Sequence, residues 1–305
     1  MVLHDTQDLG SRLPPVPGVE LTRRFIDAGG VRLHAVEAGP ADGPLVLLLH
    51  GFPEFWYGFR HQIAPLARAG YRVVVPDQRG YNLSDKPRRL AAYRLDRLAA
   101  DAAALIAASG RERAFVVGHD WGAMAAWWLA VLHPERVERL AVLNVPHPLV
   151  MRRQLRTSSA QRRRSRYVFF FQLPWLPEWW LARHGFRVAR RSLTSTSRPG
   201  TFSAEDLAAY REAWARPGAL RGMVSWYRAA LRRPPPRPPS ARVAPPTLLI
   251  WGMKDRFLGP EMIQPSLALC DQGRAECIPE ATHWVQHEEP ERVDRLLLEH
   301  FDGGR

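Results

Sequence analysis

The residues best suited to chemistry lie where a short apolar segment meets a predicted helix. Residues 116–122 read VVGHDWG, with one glycine two positions before Asp120 and another two positions after it. Flanking glycines let a strand turn sharply into a helix, which lifts the central side chain above a sheet at the helix N-terminus. A carboxylate there is ionised at neutral pH and favoured by the helix dipole, so Asp120 is a candidate nucleophile that needs no adjacent base. The alternative is an aspartate that only caps a helix at a βα turn.

Backbone amides that could stabilise a developing oxyanion are predicted next to Asp120. Phe52 follows the continuous apolar run at 45–49, and Trp121 follows Asp120 directly. Two amides that converge on one oxygen stabilise the negative charge of a tetrahedral intermediate. The sequence therefore predicts an oxyanion hole built from the amides of Phe52 and Trp121.

A carboxylate and an imidazole complete the predicted set. Asp255 comes just after the apolar run at 247–251, and His283 comes shortly after the run at 275–278. Both should lie at the carboxyl edge of a sheet, in the chain order nucleophile, acid, histidine. His287 competes for the role of base, but the acidic residues that follow it favour a position on the surface.

The elements that must hold these groups alternate between short β-rich runs and longer helical ones. Strands are predicted at 31–38, 45–49, 71–76, 114–117, 140–143, 247–251 and 275–278, and helices at 93–108, 121–132 and 290–301. Continuous apolar runs are typical of strands that are buried on both faces. Strands and helices in alternation indicate an α/β fold with a mostly parallel central sheet and helices on both of its faces.

This alternation stops after Pro146. Residues 147–240 are rich in Arg and Trp, helical where they are regular, and end in a proline-rich spacer, after which the strands resume. We therefore expect an N-terminal extension at 1–21, the first part of an α/β core at 22–146, an inserted helical cap at 147–240 and the second part of the core at 241–305.

The net charge of +13 is concentrated in the insertion. Residues 147–240 carry nineteen Arg and four acidic residues, a net charge of +15, while the rest of the 305-residue chain sums to −2. No known nucleic-acid-binding module is evident there, so nucleic acid is not expected as a partner. A solvated basic face is the simplest interpretation, and an anionic partner or a membrane surface is the alternative.

Composition sets limits on class and compartment. A content of 46% hydrophobic and 24% charged residues is that of an ordinary globular protein. No uncharged apolar run reaches the roughly eighteen residues that a membrane span requires, so stable membrane insertion is not expected. The two cysteines, Cys270 and Cys277, cannot form a disulfide framework, and the polar N-terminus lacks the apolar segment of a secretory signal. We expect a cytoplasmic protein.

Four motifs cover the positions singled out above. They read HGFPE at 50–54, DQRGY at 77–81, GHDWG at 118–122 and THWVQHE at 282–288. Together they resemble the α/β-hydrolase superfamily and, within it, the epoxide hydrolases of the soluble type, over nearly all of residues 22–301. The resemblance implies the α/β-hydrolase fold with an inserted cap, and an aspartate in place of the usual serine nucleophile.

The resemblance also implies a pair of phenols that open the epoxide ring. Tyr167 stands five positions before Gln172, as in the family's first-tyrosine segment, and Tyr227 lies in WYR at 226–228, which is similar to the second. An epoxide leaves as an alkoxide, a poor leaving group, so two O–H donors would stabilise its charge as it forms. The alternative is that both tyrosines only pack in an aromatic-rich cap.

The resulting hypothesis is a two-step hydrolysis that uses neither a metal nor an organic cofactor. Asp120 attacks one epoxide carbon to give a hydroxyalkyl ester, and His283, oriented by Asp255, activates the water that releases a vicinal diol. The expected partners are a small lipophilic epoxide and water, and homo-oligomerisation is left open. The substrate slot is expected to be apolar and to consist of Phe52, Trp121, Phe169, Phe170 and Trp175.

Three other functions compete with this one. A haloalkane dehalogenase shares the aspartate nucleophile and would use Trp121 to hold a halide, but its usual Asn in the oxyanion loop is here Phe52. A fluoroacetate dehalogenase resembles this loop more closely but carries Arg after the nucleophile. A catalytically silent binding protein would dock through the basic cap, and the intact set of Asp120, Asp255 and His283 argues against it.

Overall fold

Continuous apolar runs form the centre of an eight-stranded sheet in the computed structural model, which describes residues 13–303. The strands are β1 (Thr22–Asp27), β2 (Arg32–Ala38), β3 (Leu45–Leu49), β4 (Arg72–Pro76), β5 (Ala114–His119), β6 (Val137–Leu143), β7 (Thr247–Gly252) and β8 (Gly273–Ile278). Their order across the sheet is β1-β2-β4-β3-β5-β6-β7-β8. All neighbours from β4 to β8 in this order pair in parallel, which confirms the predicted mostly parallel sheet.

Strand β1 is the one element of the sheet that the sequence pattern does not predict. Its sequence, TRRFID, is mostly polar, and most of its residues are partly or fully exposed. It forms the edge of the sheet and pairs antiparallel with β2 alone. An antiparallel edge strand can face water, so it lacks the continuous apolar run that identifies the buried strands.

Helices cover the sheet and fill the long segment between β6 and β7. They are α1 (Arg60–Arg68), α2 (Leu95–Ala108), α3 (Trp121–Leu132), α4 (Pro148–Thr157), α5 (Ser159–Arg164), α6 (Tyr167–Phe170), α7 (Leu176–Thr194), α8 (Ala204–Ala215), α9 (Ala219–Arg232), α10 (Ile263–Leu267), α11 (Val285–Glu288) and α12 (Pro290–Asp302). The predicted helices correspond to α2, α3 and α12, and their ends agree to within two residues. Among residues 13–303, none of the helices has both the length and the apolar character needed to cross a membrane.

The helices between β6 and β7 pack against the loops at the carboxyl ends of the central strands. The indole Nε1 of Trp214, in α8, donates a hydrogen bond to the carbonyl of Pro53 at 2.6 Å, just beyond β3. The indole Nε1 of Trp226, in α9, donates to the carbonyl of Arg79 at 3.0 Å, just beyond β4. Because both contacts join this segment to the same edge of the sheet, α8 and α9 lie over that edge.

Candidate active site

Asp120 occupies a sharp turn between β5 and α3. Its backbone has φ 49° and ψ −120°, a conformation that L-residues rarely adopt. The flanking glycines are needed because a Cβ on Gly118 would lie 2.6 Å from the Cα of Ala123, and a Cβ on Gly122 would lie 2.0 Å from the carbonyl oxygen of Leu49. The strained turn therefore depends on glycine at both positions, and it presents the Asp120 carboxylate at the carboxyl edge of the sheet.

One oxygen of the Asp120 carboxylate is held by the backbone of the loop after β3. The amide of Phe52 donates a hydrogen bond to Oδ1 at 2.7 Å. Burial by itself raises the pKa of Asp120, but the hydrogen bond and charge of His283, together with this amide, outweigh the effect of burial and lower the pKa. Trp121 is the first residue of α3, so its amide has no partner within the helix and follows the carboxylate directly. Asp120 is therefore ionised, with one oxygen restrained.

His283 connects the two carboxylates. Its Nδ1 lies 2.7 Å from Oδ2 of Asp255, and its Nε2 lies 3.5 Å from Oδ2 of Asp120. Burial by itself lowers the pKa of His283, but the charges and hydrogen bonds of Asp255 and Asp120 outweigh it and raise the pKa to about 10. The imidazole is therefore a cation at neutral pH. The structure brings these three side chains together, as the chain order predicts.

Asn144 fixes the orientation of Asp255, and the sequence interpretation missed it. Its Nδ2 donates to Oδ2 of Asp255 at 2.9 Å, and its Oδ1 accepts a hydrogen bond from the amide of Gly252 at 3.0 Å. The amides of Phe257 and Leu258 donate to Oδ1 of Asp255 at 2.7 and 3.0 Å. A signal was present in the sequence, because Asn144 comes directly after β6 and so lies at the same edge of the sheet as the other polar groups.

Tyr167 and Tyr227 meet beside this group although they belong to different helices. Their ring centroids are 5.8 Å apart, and the ring of Tyr227 also lies edge-on to Trp121 at 4.9 Å and to Phe52 at 5.1 Å. Burial raises the pKa of both phenols, and the charge of Asp120 raises it further. Both hydroxyl groups are therefore protonated at neutral pH and able to donate hydrogen bonds.

The apolar surroundings of the tyrosines differ in part from the predicted slot. Phe171, four residues after Tyr167, contacts that ring at 5.8 Å and the ring of Phe52 at 5.4 Å, because residues four apart share one face of a helix. Phe170 packs against Phe171 and Trp180 instead.

Two of the expected slot residues lie on the outer surface. Phe169 is 58% exposed, because a residue two positions after Tyr167 on a helical turn points to the other side. Trp175 is 70% exposed and has a left-handed backbone, with φ 49°, at the start of α7. The expectation that these two rings line the slot is therefore corrected.

A buried polar network lies behind His283 and includes His287. The carboxylate of Glu54 accepts a hydrogen bond from the hydroxyl of Tyr210 at 2.8 Å and contacts Nε2 of His287 at 2.7 Å and Nδ1 of His119 at 3.1 Å. Nε2 of His119 lies 2.8 Å from the carbonyl oxygen of His283. The network therefore supports the backbone that carries the candidate base.

The surface position expected for His287 is wrong, since this residue is buried and burial lowers the pKa of its imidazole to about 4. The acidic residue that follows explains the error. The side chain of Glu288 turns inward and accepts hydrogen bonds from the amide and the hydroxyl of Thr282, both at 2.7 Å. Within residues 13–303, no group of three or more His, Cys, Asp or Glu side chains has an arrangement that could hold a metal ion.

Comparison with known proteins agrees with this geometry. The family model for the α/β-hydrolase fold matches residues 44–290. The chain is 44% identical to the AB hydrolase superfamily protein YfhM of Bacillus subtilis (strain 168) over 278 residues, which cover 91% of this chain and 97% of that protein. It is 39% identical to epoxide hydrolase 4 of Homo sapiens, with 89% of this chain and 76% of that protein covered.

A solved structure gives the same result. The crystal structure of an epoxide hydrolase from Bacillus megaterium in complex with an inhibitor superposes with a TM-score of 0.83 at 32% identity, and covers 92% of this chain and 100% of that chain. The protein thus belongs to the α/β-hydrolase family and, within it, to the epoxide hydrolases.

Proposed function

We propose that this protein adds water to a lipophilic epoxide and releases a vicinal diol, through a hydroxyalkyl ester formed on Asp120. The observation that carries the proposal is that the two oxygens of this carboxylate have different partners. The Phe52 amide holds Oδ1 at 2.7 Å, while Oδ2 faces Nε2 of His283 at 3.5 Å. In the proposed mechanism Oδ1 occupies the future oxyanion site, and Oδ2, which is paired with His283 in the free enzyme, is the oxygen that attacks.

The first step of this mechanism opens the ring. Oδ2 of Asp120 forms a bond to one epoxide carbon while the bond between that carbon and the epoxide oxygen breaks. The hydroxyl groups of Tyr167 and Tyr227 donate to this oxygen, and one of them gives it a proton. The resulting phenolate regains a proton from water after the ester has formed, because the pKa of each phenol is raised. Because burial and the Asp120 charge raise the pKa of both phenols, the proton is in place before the reaction. One well-placed donor of this kind contributes about a hundred- to a thousandfold in rate.

The second step hydrolyses the ester. His283 takes a proton from water, the hydroxide attacks the carbonyl carbon of the ester, and the oxyanion forms at Oδ1 beside the amides of Phe52 and Trp121. The bond between the carbonyl carbon and the former Oδ2 then breaks, the imidazolium of His283 returns its proton to that oxygen, and the vicinal diol leaves. The regenerated Asp120 carboxyl group loses its proton and is again a carboxylate. Esterification removes the negative charge of Asp120, which is one of the two charges that raise the pKa of His283. Loss of this charge lowers the pKa of His283, so the imidazole gives up its proton and is available as a base once the intermediate exists.

The position of the helices over the sheet edge supports a division into core and cap. We assign residues 22–146 and 241–305 to the α/β core and residues 147–240 to the cap, since α8 and α9 contact the core loops through Trp214 and Trp226. In this proposal, the core supplies the Asp120 group and the cap supplies the two tyrosines of one site. The predicted extension at 1–21 lies partly outside the described residues.

The rings around the reacting groups favour a lipophilic substrate. Tyr227 has aromatic neighbours on three sides, namely Phe52 at 5.1 Å, Phe171 at 4.8 Å and Trp121 at 4.9 Å. A site lined by such rings excludes water and binds apolar groups. We therefore propose an aryl- or alkyl-substituted epoxide as the substrate class.

Isotope labelling under single-turnover conditions tests the covalent step. With enzyme in excess over styrene oxide in ¹⁸O-labelled water, the first diol should carry no label, because its new oxygen comes from Asp120. The label should appear in the Asp120 side chain, which peptide mass spectrometry would detect, and in the diol that forms when more styrene oxide is then added. Label in the diol of the first turnover would mean direct attack by water and would end the ester mechanism.

The same preparation separates this function from dehalogenation. Incubation with 1-bromobutane should release no bromide at a rate comparable to diol formation from styrene oxide, because the paired phenols serve an alkoxide and not a halide. Bromide release that exceeds diol formation would favour a dehalogenase. Inactivity toward both substrates, with Asp120, Asp255 and His283 intact, would favour a binding protein.

A further inference from the structure

The outer face of the insertion carries a cluster of exposed apolar side chains. Of the large hydrophobic residues that are exposed in residues 13–303, all but Met253 belong to this cluster. We call it the aromatic patch, and its members are Phe169, Leu173, Trp175, Trp179, Trp180 and Leu231. Soluble monomers rarely expose several large rings in one place without a binding role, so the patch needs a partner.

Backbone contacts and Arg228 bring the segments that carry the patch next to each other. Trp175 and Trp179 lie on consecutive turns at the start of α7, and the amide of Trp179 donates to the carbonyl of Trp175 at 3.0 Å. The guanidinium group of Arg228, in α9, contacts the carbonyl of Leu173 at 2.5 Å and the carboxylate of Glu178 at 2.5 Å. This contact places the end of α9 beside the start of α7.

The conformation of Trp175 keeps its ring in solvent. Its backbone is left-handed, with φ 49° and ψ −28°, and the side chain is 70% exposed. A left-handed residue other than Gly, Asn or Asp costs free energy and persists only where the surrounding structure imposes it. Exposing a large ring in this way lowers the stability of the free protein, and binding of the ring to an apolar medium would offset that cost.

The insertion that carries the patch is strongly cationic. Eleven exposed arginines lie between residues 152 and 191, and the one acidic residue there, Glu178, is paired with Arg228. The arginines are Arg152, Arg153, Arg156, Arg162, Arg163, Arg164, Arg166, Arg183, Arg187, Arg190 and Arg191. None of these eleven forms an ion pair with another residue in the described part of the chain. Arg183 stacks on the ring of Trp179, with its guanidinium carbon 4.5 Å from the ring centroid.

We propose that this face docks reversibly on the surface of an anionic lipid bilayer. Tryptophan rings settle at the boundary between headgroups and acyl chains, and clustered arginines attract anionic headgroups. A second copy of the chain is disfavoured as the occupant, because each insertion carries a net charge of +15 and the two copies would repel each other. The docking is peripheral, since none of the helices described in 13–303 can span a membrane.

A run of ring contacts connects the patch with the candidate active site. The ring of Trp180 lies 5.2 Å from Phe170, which lies 6.1 Å from Phe171, which in turn lies 5.8 Å from Tyr167. Docking through the patch would place the bilayer at the outer end of this run. Together with the proposed function, this would give the site access to an epoxide dissolved in the membrane, whereas the docking itself depends only on the surface.

Vesicle co-sedimentation tests the docking. The full chain should sediment with vesicles of phosphatidylcholine and phosphatidylglycerol at low salt, and binding should weaken for pure phosphatidylcholine and at high salt. The variant Trp175→Ala/Trp179→Ala should bind the mixed vesicles about a hundredfold more weakly, at about tenfold for each buried ring. The variant Arg163→Gln/Arg164→Gln/Arg166→Gln should also lose about a hundredfold, at about fivefold for each arginine near an anionic surface.

A matched control uses exposed arginines of the core. The variant Arg274→Gln/Arg295→Gln should bind vesicles like the wild type, since neither residue belongs to the insertion. Unchanged circular dichroism and unchanged turnover of styrene oxide would show that each variant is folded. Failure of the wild type to bind mixed vesicles, or equal loss in the core control, would overturn the proposal.

Two further experiments would detect a different partner of this face, either a second copy of the chain or DNA. Sedimentation equilibrium of the wild type should show a monomer over the concentrations used, and a dimer that Trp175→Ala/Trp179→Ala dissolves would identify a second copy as the partner and overturn lipid docking. The second alternative is DNA. If the wild type binds DNA but not vesicles, and Trp175→Ala/Trp179→Ala still binds DNA, the face is a polyanion site and lipid docking is overturned.

Discussion

Nε2 of His283 lies 3.5 Å from Oδ2 of Asp120, the carboxylate oxygen that the Phe52 amide leaves free. The candidate base and the candidate nucleophile therefore form an ion pair before any substrate arrives. Formation of an ester at Oδ2 would abolish this pair. The protonation of His283 is thus coupled to the chemical state of Asp120, and the coupling can be measured.

Replacement of Asp120 by Asn should lower the pKa of His283. Asp120 and Asp255 together raise this pKa to about 10, so the imidazole of the free enzyme gains its proton well above neutral pH. The amide of Asn is neutral, like the ester, so the variant imitates the intermediate. An NMR titration of the His283 ring nitrogens in wild type and Asp120→Asn should show the apparent pKa move downward.

His147 provides an internal control for that titration. It is buried away from the carboxylates, and burial lowers its pKa to about 4. Its titration should be the same in both proteins. An unchanged pKa of His283 in Asp120→Asn would contradict the proposed coupling. If the pKa falls as expected, ester hydrolysis in the wild type should accelerate with rising pH through a pKa below that of the free enzyme, because only the neutral ring accepts a proton.

Replacement of His283 by Gln should allow the first step and block the second. The imidazole has no assigned part in ring opening, so Asp120 should still form the ester, which then accumulates for lack of a base. Intact-mass spectrometry after incubation with styrene oxide should show the protein plus the mass of one substrate molecule. The double variant Asp120→Ala/His283→Gln should stay unmodified, which identifies the site of attachment. An unmodified single variant that still binds substrate would refute the assignment of His283.

The sequence predicted the elements and groups that depend on local pattern. The buried strands are continuous apolar runs, and the glycines around Asp120 define a turn, so β3, α3 and the Asp120 turn followed from the sequence. The position of Glu54 depends on packing between distant segments and did not follow. No role was predicted for Glu54, yet it is buried at the centre of a network whose members lie as far away in the chain as Tyr210 and His287.

The sequence also did not predict which side chains point inward in irregular segments. The composition of 167–180 indicated an aromatic slot, but which rings face inward is decided by the one-turn helix at Tyr167 and the left-handed residue Trp175. A tryptophan with positive φ has no sequence signal of its own. The ring of Trp175, which was expected to line the substrate slot, is instead part of the aromatic patch.

Loss of Asn144 should slow the hydrolytic step more than ring opening. Its Nδ2 donates to Oδ2 of Asp255 at 2.9 Å, the same oxygen that contacts Nδ1 of His283. A hydrogen bond to a charged group contributes about 1.5–3 kcal/mol, so Asn144→Ala should reduce the rate of ester hydrolysis about ten- to a hundredfold. Stopped-flow fluorescence, with substrate in excess, resolves the two steps.

Asn82 offers a matched control for this variant. Both residues have a positive φ, which is 57° for Asn144 and 37° for Asn82. The Nδ2 of Asn82 likewise donates to a buried carboxylate, Oδ2 of Asp77, at 2.8 Å. Asn82→Ala should therefore lower the thermal stability to a similar degree and leave the ratio of the two rates as in the wild type. If Asn144→Ala and Asn82→Ala change the rates of ring opening and ester hydrolysis equally, the role of Asn144 is structural only.

Removal of the two phenols should affect ring opening alone. Tyr167 and Tyr227 share one epoxide oxygen in the proposed mechanism, so each single change to Phe leaves one donor in place. Each should slow ester formation about a hundred- to a thousandfold, and the double variant should be nearly inactive toward styrene oxide. Hydrolysis of the ester, once it has formed, should keep its rate. Tyr93→Phe is the control, because the Tyr93 hydroxyl donates to the carbonyl of Pro87 at 2.9 Å, apart from the reacting groups.

The ratio between the rates of ring opening and ester hydrolysis makes this test specific. Destabilisation of the fold would lower both rates, and a halide-binding site would depend on Trp121 and not on the phenols. A double variant Tyr167→Phe/Tyr227→Phe that opens the epoxide at the wild-type rate would refute the roles of both tyrosines and leave the Asp120 ester without a proton donor. A selective loss of ring opening, with Tyr93→Phe unaffected, would support the phenols as the groups that stabilise the leaving alkoxide, since the pKa of each is raised by burial and by the charge of Asp120.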